Sequence, residues 1–114
     1  MNDTISVLVG ACELANEGIG LIEKLKRHFP SAREKELLRA AAQSGEFHII
    51  KPDQVAYPII RAGGTDMGDE NDPASLAEYY EAFKSLCSNG YIEYADGAAF
   101  RLTADGFKKA RNIT

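Results

Sequence analysis

The stretch YIEYADGAAFRLTADGF, Tyr91 to Phe107, limits the fold more than any other part of the chain. Tyr91, Ile92 and Tyr94 read as one strand, and Phe100 and Leu102 as its return. Asp96-Gly97 between them is a strong two-residue hairpin signal, because both central positions of the favoured turn need a positive φ. Thr103 follows as a helix N-cap, with Phe107 and Ala110 on the core side of that last helix. Its end carries Lys108, Lys109 and Arg111, where the helix dipole favours cations.

The preceding segments supply what this hairpin packs on. Pro30 ends the N-terminal element, and Ser31-Ala-Arg-Glu34 is a capping box that starts a helix with Leu37, Leu38 and Ala41 inward. Ser44-Gly45 stops it. EFHII then reads as a strand, KPDQ (Lys51 to Gln54) as a turn, and VAYPIIRA as a returning strand that Pro58 confines to an edge or a bulge. GGTDMGDENDP, Gly63 to Pro73, has no apolar period and four acidic residues, so a mobile loop is expected. Asp72-Pro73 starts a third helix, whose inner face is predicted to hold Leu76, Tyr80, Phe83 and Cys87, with Leu86 beside them. Glu78, Glu81 and Lys84 lie on its other side, and Asn89-Gly90 ends it.

From Thr4 to Phe29 apolar residues recur at Ile5, Leu8, Cys12, Ala15, Ile19, Ile22 and Phe29, a heptad-like stripe broken only at Lys26. Gly10, Gly18 and Gly20 each cost about 1 kcal/mol relative to Ala within a helix, so a break is expected near Gly18 to Gly20. The stripe fits packing on its own chain, pairing with a second copy, or a swap that does both; a dimer through this helix is the expectation. The run from Ile5 to Ala15 contains Gly10 and Glu13 and follows Asp3, which suits neither a signal peptide nor a membrane span.

The helix, strand, helix, hairpin order with SLCSNGYIEYADGAAFRLTADGFKKA resembles the winged-helix family, in particular winged-helix-like modules of bacterial proteins, over Ser31 to about Asn112. The most specific pieces are Leu86 to Gly90, the Tyr91-Ile92 pair that opens a strand, and Phe100 to Phe107. The resemblance implies an α+β fold, a winged-helix-like domain (31–114) with a small antiparallel sheet and an added long N-terminal helix (1–30). In members that read DNA, a recognition helix enters the major groove and the wing touches phosphates. This chain departs from that pattern at each point. Strand-like segments replace the first helix of the pair. The helix from Pro73 offers Glu78 and Glu81 against Lys84, and the wing tip YADGAA has no cation nearer than Arg101.

Charge points the same way. The 114 residues carry 13 Lys and Arg against 17 Asp and Glu, a net −4, which opposes polyanion binding. A composition that is 45% hydrophobic and 26% charged suits one soluble domain with one core. At this length folding buries roughly two-thirds of the chain's surface without needing a disulfide or metal. Cys12 and Cys87 sit in apolar helical patterns and read as buried thiols of a reducing cytosol; a disulfide between them is open but unsupported.

No residue set points to catalysis or a cofactor. His28 and His48 have no cysteine or carboxylate at ligand spacing. DMGDEND lacks the order of a helix-loop-helix calcium site, and Ala62-Gly63-Gly64 lacks the Lys and the helix of a phosphate loop. Tyr79 is the tyrosine expected to be exposed, as interface tyrosines often are. The expected function is a non-enzymatic, cytoplasmic protein-interaction or regulatory module without metal or membrane contact. Its candidate interface residues are Ile5, Leu8, Cys12, Ile19, Ile22 and Tyr79. The alternative is a DNA-binding transcriptional regulator with phosphate contacts at Arg61, Arg101, Lys108, Lys109 and Arg111.

Overall fold

A computed structural model describes residues 3–16, 29–51 and 56–113 of the chain. In order, the elements are α1 (Asp3–Asn16), α2 (Ala32–Ala41), β1 (Glu46–Ile50), β2 (Ile59–Ala62), β3 (Thr65–Met67), α3 (Pro73–Ser88), β4 (Ile92–Asp96), β5 (Ala99–Leu102) and α4 (Ala104–Asn112). The strands form one antiparallel sheet in the order β3-β2-β1-β5-β4. The helices pack on one of its faces, so the fold is α+β with two layers around a single apolar cluster.

Local chemistry explains where the helices begin. Ser31 Oγ accepts from the Glu34 backbone N–H at 3.3 Å, and the Glu34 carboxylate accepts from the Ser31 N–H at 2.9 Å. This reciprocal box contributes about 1 kcal/mol to α2. Asp72 caps α3, with Pro73 at the first helical position. Thr103 Oγ1 accepts from Gly106 N–H at 3.0 Å and donates to the Gly90 carbonyl at 2.7 Å, so one hydroxyl joins the end of α3 to the start of α4. Gly106 lets α4 approach closely, since a Cβ there would strike the Tyr91 carbonyl oxygen.

The core is organised around Phe83. This α3 side chain sits edge-on to Phe47 of β1 (centroids 5.2 Å apart) and to Phe100 of β5 (5.3 Å), and those two strand residues face each other across the sheet. All three are at most 1% exposed. Edge-to-face pairs add about 0.5–1.5 kcal/mol each beyond the apolar area they bury. Leu37, Leu38 and Ala41 of α2 close the same cluster, as their helical spacing predicted.

Several expectations require correction. GGTDM is not loop: Gly63 and Gly64, at φ +58° and +90°, make a two-residue turn, and Thr65–Met67 returns as β3. Of the described residues in VAYPIIRA, Ala56 and Tyr57 form a bend and the strand begins at Ile59. Pro58 is buried just before the strand, so it removes no ladder donor and β2 lies inside the sheet rather than at its edge. In the last hairpin Asp96 pairs with Ala99, which makes Gly97-Ala98 the turn and leaves Ala95 as a bulge. Tyr79, expected outside, is 7% exposed, while Tyr80 is half-buried at the margin. Leu76, Phe83, Leu86 and Cys87 are buried on α3 as their spacing predicted, Tyr80 packs against the cluster from its margin, and Tyr79 and Ala82 widen the inner face.

α1 lies within its own chain's core through Leu8, Ala11 and Cys12. The predicted break at Gly18 to Gly20, the stripe positions Ile19 and Ile22, His28, and most of the KPDQ turn lie outside the described residues. Phe29 is exposed. Among the described residues no helix is long and apolar enough to cross a membrane.

Candidate functional site: the open face of the sheet

Strand alternation separates two surfaces. In β1, Phe47 and Ile49 point to the helices while Glu46 and His48 point away. In β2, Ile60 and Ala62 are buried and Arg61 is exposed; in β5, Phe100 and Leu102 are buried and Arg101 is exposed. Register aligns these outward residues into two rows. Asp66, Arg61, His48 and Ala99 form one, and Glu46, Arg101 and Glu93 form the other.

Arg101 stands between two carboxylates in the second row and Arg61 beside Asp66 in the first, and both cations are taken up. Arg61 grips Asp66 with both carboxylate oxygens engaged, Nε–Oδ1 at 2.7 Å and Nη2–Oδ2 at 3.4 Å. That hydrogen bond raises the Arg61 pKa and lowers that of Asp66. Arg101 Nε lies 2.7 Å from Glu93 Oε2 on the neighbouring strand. Planar guanidinium-carboxylate pairs of this kind hold their orientation better than lysine pairs. An open groove of about 420 Å³ runs along one end of this face, lined by Ser44, Glu46, His48, Arg61, Gly63 and Gly64. Ser44 Oγ accepts from the Glu46 backbone N–H at 3.2 Å, a local cap on the start of β1. Among the described residues no group of three His, Cys, Asp or Glu side chains could hold a metal ion.

The remaining cations named from sequence lie elsewhere. Lys108, Lys109 and Arg111 are on α4, which joins the helical layer on the opposite face of the sheet through Ala110. Lys109 Nζ sits 5.4 Å from the centre of the Tyr91 ring. The structure therefore brings Arg61 and Arg101 to one face and separates both from the α4 group.

The interface candidates also divide. Leu8 and Cys12 are buried in their own chain and Ile5 packs against the same cluster. Tyr79 belongs to a polar network between α2 and α3. Its hydroxyl donates to Glu36 Oε2 at 2.7 Å and accepts from Arg33 Nη1 at 3.0 Å, with the Arg33 guanidinium 4.7 Å above its ring. Arg33 also reaches Glu78 at 2.9 Å. The Tyr79 hydroxyl lowers the pKa of Glu36, and burial raises that of Tyr79. Sequence reasoning missed this network, whose members lie on two helices separated by three strands. A second groove, about 660 Å³, lies between α1 and α3 and is lined by Val7, Gly10, Ala11, Glu81, Lys84, Ser85 and Ser88.

Comparison with protein-family models, curated proteins and solved structures finds no match.

Proposed function

We propose that the chain is a winged-helix-like domain that acts as a non-enzymatic, cytoplasmic interaction or regulatory module with protein rather than nucleic acid as its partner. The topology supports the first part. The order β1-β5-β4, with α2 before β1 and α3 leading into the β4-β5 hairpin, agrees with what a winged-helix core would require. The β2-β3 hairpin stands where a DNA-reading member has its first paired helix.

The observation that carries the second part is the disposition of the cations. Arg61 and Arg101 are each held by a carboxylate at 2.7 Å, and the α4 cations are on the other side of the sheet. Affinity for a duplex rises with the number of phosphates neutralised together. Exposed cations already paired and split between two surfaces neutralise few. A second copy of the chain is one protein partner that fits, though Leu8 and Cys12 are already committed within the chain. Contact between copies would use the outward side of α1 around Val7, which is 47% exposed, and the groove beside it.

Two measurements test this. Anisotropy of a labelled mixed-sequence duplex at low salt is expected to show no saturable binding; tight binding that weakens steeply with salt would establish the DNA-binding alternative. Light scattering at tens of micromolar is expected to give the mass of a dimer, and a monomer mass would remove the self-association part.

A further inference from the structure

Asn89-Gly90 closes α3 and is the one Asn-Gly pair in the sequence. Asparagine is thermolabile, and most so before glycine, where no side chain hinders the backbone nitrogen that attacks its amide. In the fold each reacting group is engaged elsewhere. The Gly90 N–H donates to the Cys87 carbonyl at 3.1 Å and the Tyr91 N–H to the Leu86 carbonyl at 3.0 Å, with Gly90 at φ +83°, which together make a Schellman cap. The Asn89 side-chain amide donates to the Ser85 carbonyl at 2.8 Å. Both residues are only half-buried, so their protection comes from these bonds and not from exclusion of water. We propose that Asn89 is a deamidation site gated by this cap, intact while the cap is closed and converted to aspartate and isoaspartate when the end of α3 opens.

The reaction needs only water. The Gly90 nitrogen gives up its proton and attacks the Asn89 side-chain carbonyl carbon. The bond from that carbon to Nδ2 breaks, and the nitrogen leaves as ammonia with the proton, which closes a five-membered succinimide. Water then opens the ring on either side of the Gly90 nitrogen. Breaking its bond to the side-chain carbon gives aspartate; breaking its bond to the Asn89 main-chain carbonyl carbon gives isoaspartate, with the chain rerouted through the side chain. One asparagine and one water give one acidic residue and one ammonia, with no change of oxidation state.

The gate reaches beyond α3. Thr103 Oγ1 donates to the Gly90 carbonyl at 2.7 Å and the Thr103 N–H to the Tyr91 carbonyl at 3.0 Å, so the start of α4 clasps the two residues after Asn89. Bringing the Gly90 nitrogen onto the side-chain carbon turns the Asn89 ψ away from 3° and carries Gly90 with it. The cap bonds and the Thr103 bonds must therefore part together, a local opening of the junction between α3, β4 and α4. Modification also keeps the junction from closing again. A carboxylate at position 89 cannot donate to the Ser85 carbonyl and lies at the negative end of the helix dipole. Isoaspartate adds a methylene to the main chain, which breaks the spacing that the two Schellman bonds require.

The test incubates the full chain at mildly alkaline pH, folded in buffer and unfolded in guanidinium chloride, and follows the gain of one mass unit by peptide mapping, with isoaspartate scored separately. In the unfolded chain position 89 should convert first, to a mixture of both products, and in the folded chain at least about tenfold more slowly. Thr103→Val should speed conversion in buffer and leave the rate in denaturant unchanged, and Asn89→Gln should abolish the early mass gain in both. The deamidated chain, returned to buffer, should unfold at a lower urea concentration than the unmodified one. The proposal is overturned if folded and unfolded chains convert at the same rate, if position 89 stays intact in denaturant, or if the deamidated chain keeps the original urea midpoint. The comparison of wild type in buffer and in denaturant decides the gating even where Thr103→Val fails to fold.

Discussion

Replacing Tyr79 with Phe removes one hydroxyl and keeps the ring, so it isolates the polar network between α2 and α3. The lost contacts are the 2.7 Å hydrogen bond to Glu36 and the 3.0 Å bond from Arg33; the guanidinium still has a ring to stack on at 4.7 Å. A hydrogen bond to a charged group contributes about 1.5–3 kcal/mol when shielded from water. The Glu36 side chain is 38% exposed, which reduces this to about 1 kcal/mol through competition with solvent. With a urea m-value of about 1.3 kcal/mol per molar for a domain of this size, the midpoint should fall by roughly 0.8 M at pH 7.

The pH dependence is the sharper part of the same prediction. Glu36 has a folded pKa below its ordinary value, chiefly because the Tyr79 hydroxyl donates to it. Its contribution is therefore complete above the unfolded value of about 4.3 and disappears as pH falls through the lower folded value. Tyr79 is shifted the other way, upward, mainly by burial. That contribution is present below the unfolded tyrosine value of about 10 and is lost as pH rises through the folded one. The gap between wild type and Tyr79→Phe should thus be flat from pH 6 to 8 and shrink on both the acid and the alkaline side. Urea titrations across this range measure it directly. A gap that is unchanged between pH 7 and pH 3, or a Phe variant as stable as wild type at pH 7, would refute the assignment of Tyr79 to a functioning hydrogen-bond network.

Two further substitutions probe how the layers meet. Phe83→Ala should cost about 3–5 kcal/mol and leave the domain largely unfolded or strongly binding to a hydrophobic dye, while Phe83→Leu, which loses both edge-to-face pairs but keeps most of the apolar volume, should cost about 1–3 kcal/mol; equal losses in urea unfolding would contradict the central place of that ring. Gly106→Ala should destabilise despite a helix propensity that favours Ala by about 1 kcal/mol, because the new Cβ meets the Tyr91 carbonyl. A raised melting temperature for this variant would show that α4 does not sit as described.

What could be read from the amino-acid order was what a few neighbouring residues decide. Ser31 with Glu34, Asp72 with Pro73, and Thr103 each mark a helix start, since the groups that satisfy the first free N–H donors lie within four residues. β3 escaped because Thr65-Asp66-Met67 is too short to show a period; the only signal was Gly63-Gly64, a turn pair. The candidate face was hidden for a related reason. A simple two-residue turn at Asp96-Gly97 would place Glu93 opposite Phe100. The bulge at Ala95 and the turn at Gly97-Ala98 instead put Glu93 opposite Arg101 and Ile92 opposite Leu102. A shift of one residue exchanges the two faces of a strand, so the pairing of Arg101 could not be seen before the turn was known. Tyr79 and Tyr80 present the same difficulty on a helix, where only the partners Arg33 and Glu36, from another element, decide which ring turns inward.

The two free edges of the sheet narrow how a protein partner could bind. On β3, Asp66 is the residue whose backbone N–H and C=O face away from β2, because Arg61, opposite it, turns its own toward β1 in the ladder that continues from the Gly63 N–H to the Glu46 carbonyl. One such position, bearing a charged side chain, is a poor template for an added strand. On β4 the bond from the Thr103 N–H to the Tyr91 carbonyl fixes the alternation, so that the Ile92 carbonyl and Tyr94 N–H point outward. The Cys12 thiol donates to the Ile92 carbonyl at 3.4 Å, so α1 covers that position of the edge. Strand addition is thus opposed at one edge by charge and length and at the other by a helix. A partner would have to read side chains, either on the charge-paired open face or along the groove between α1 and α3. Arg61→Gln and Val7→Asp separate these surfaces, because each changes one of them and neither alters a fully buried side chain. Loss of self-association in light scattering with Val7→Asp alone would place the contact on α1, whereas loss with Arg61→Gln alone would place it on the sheet.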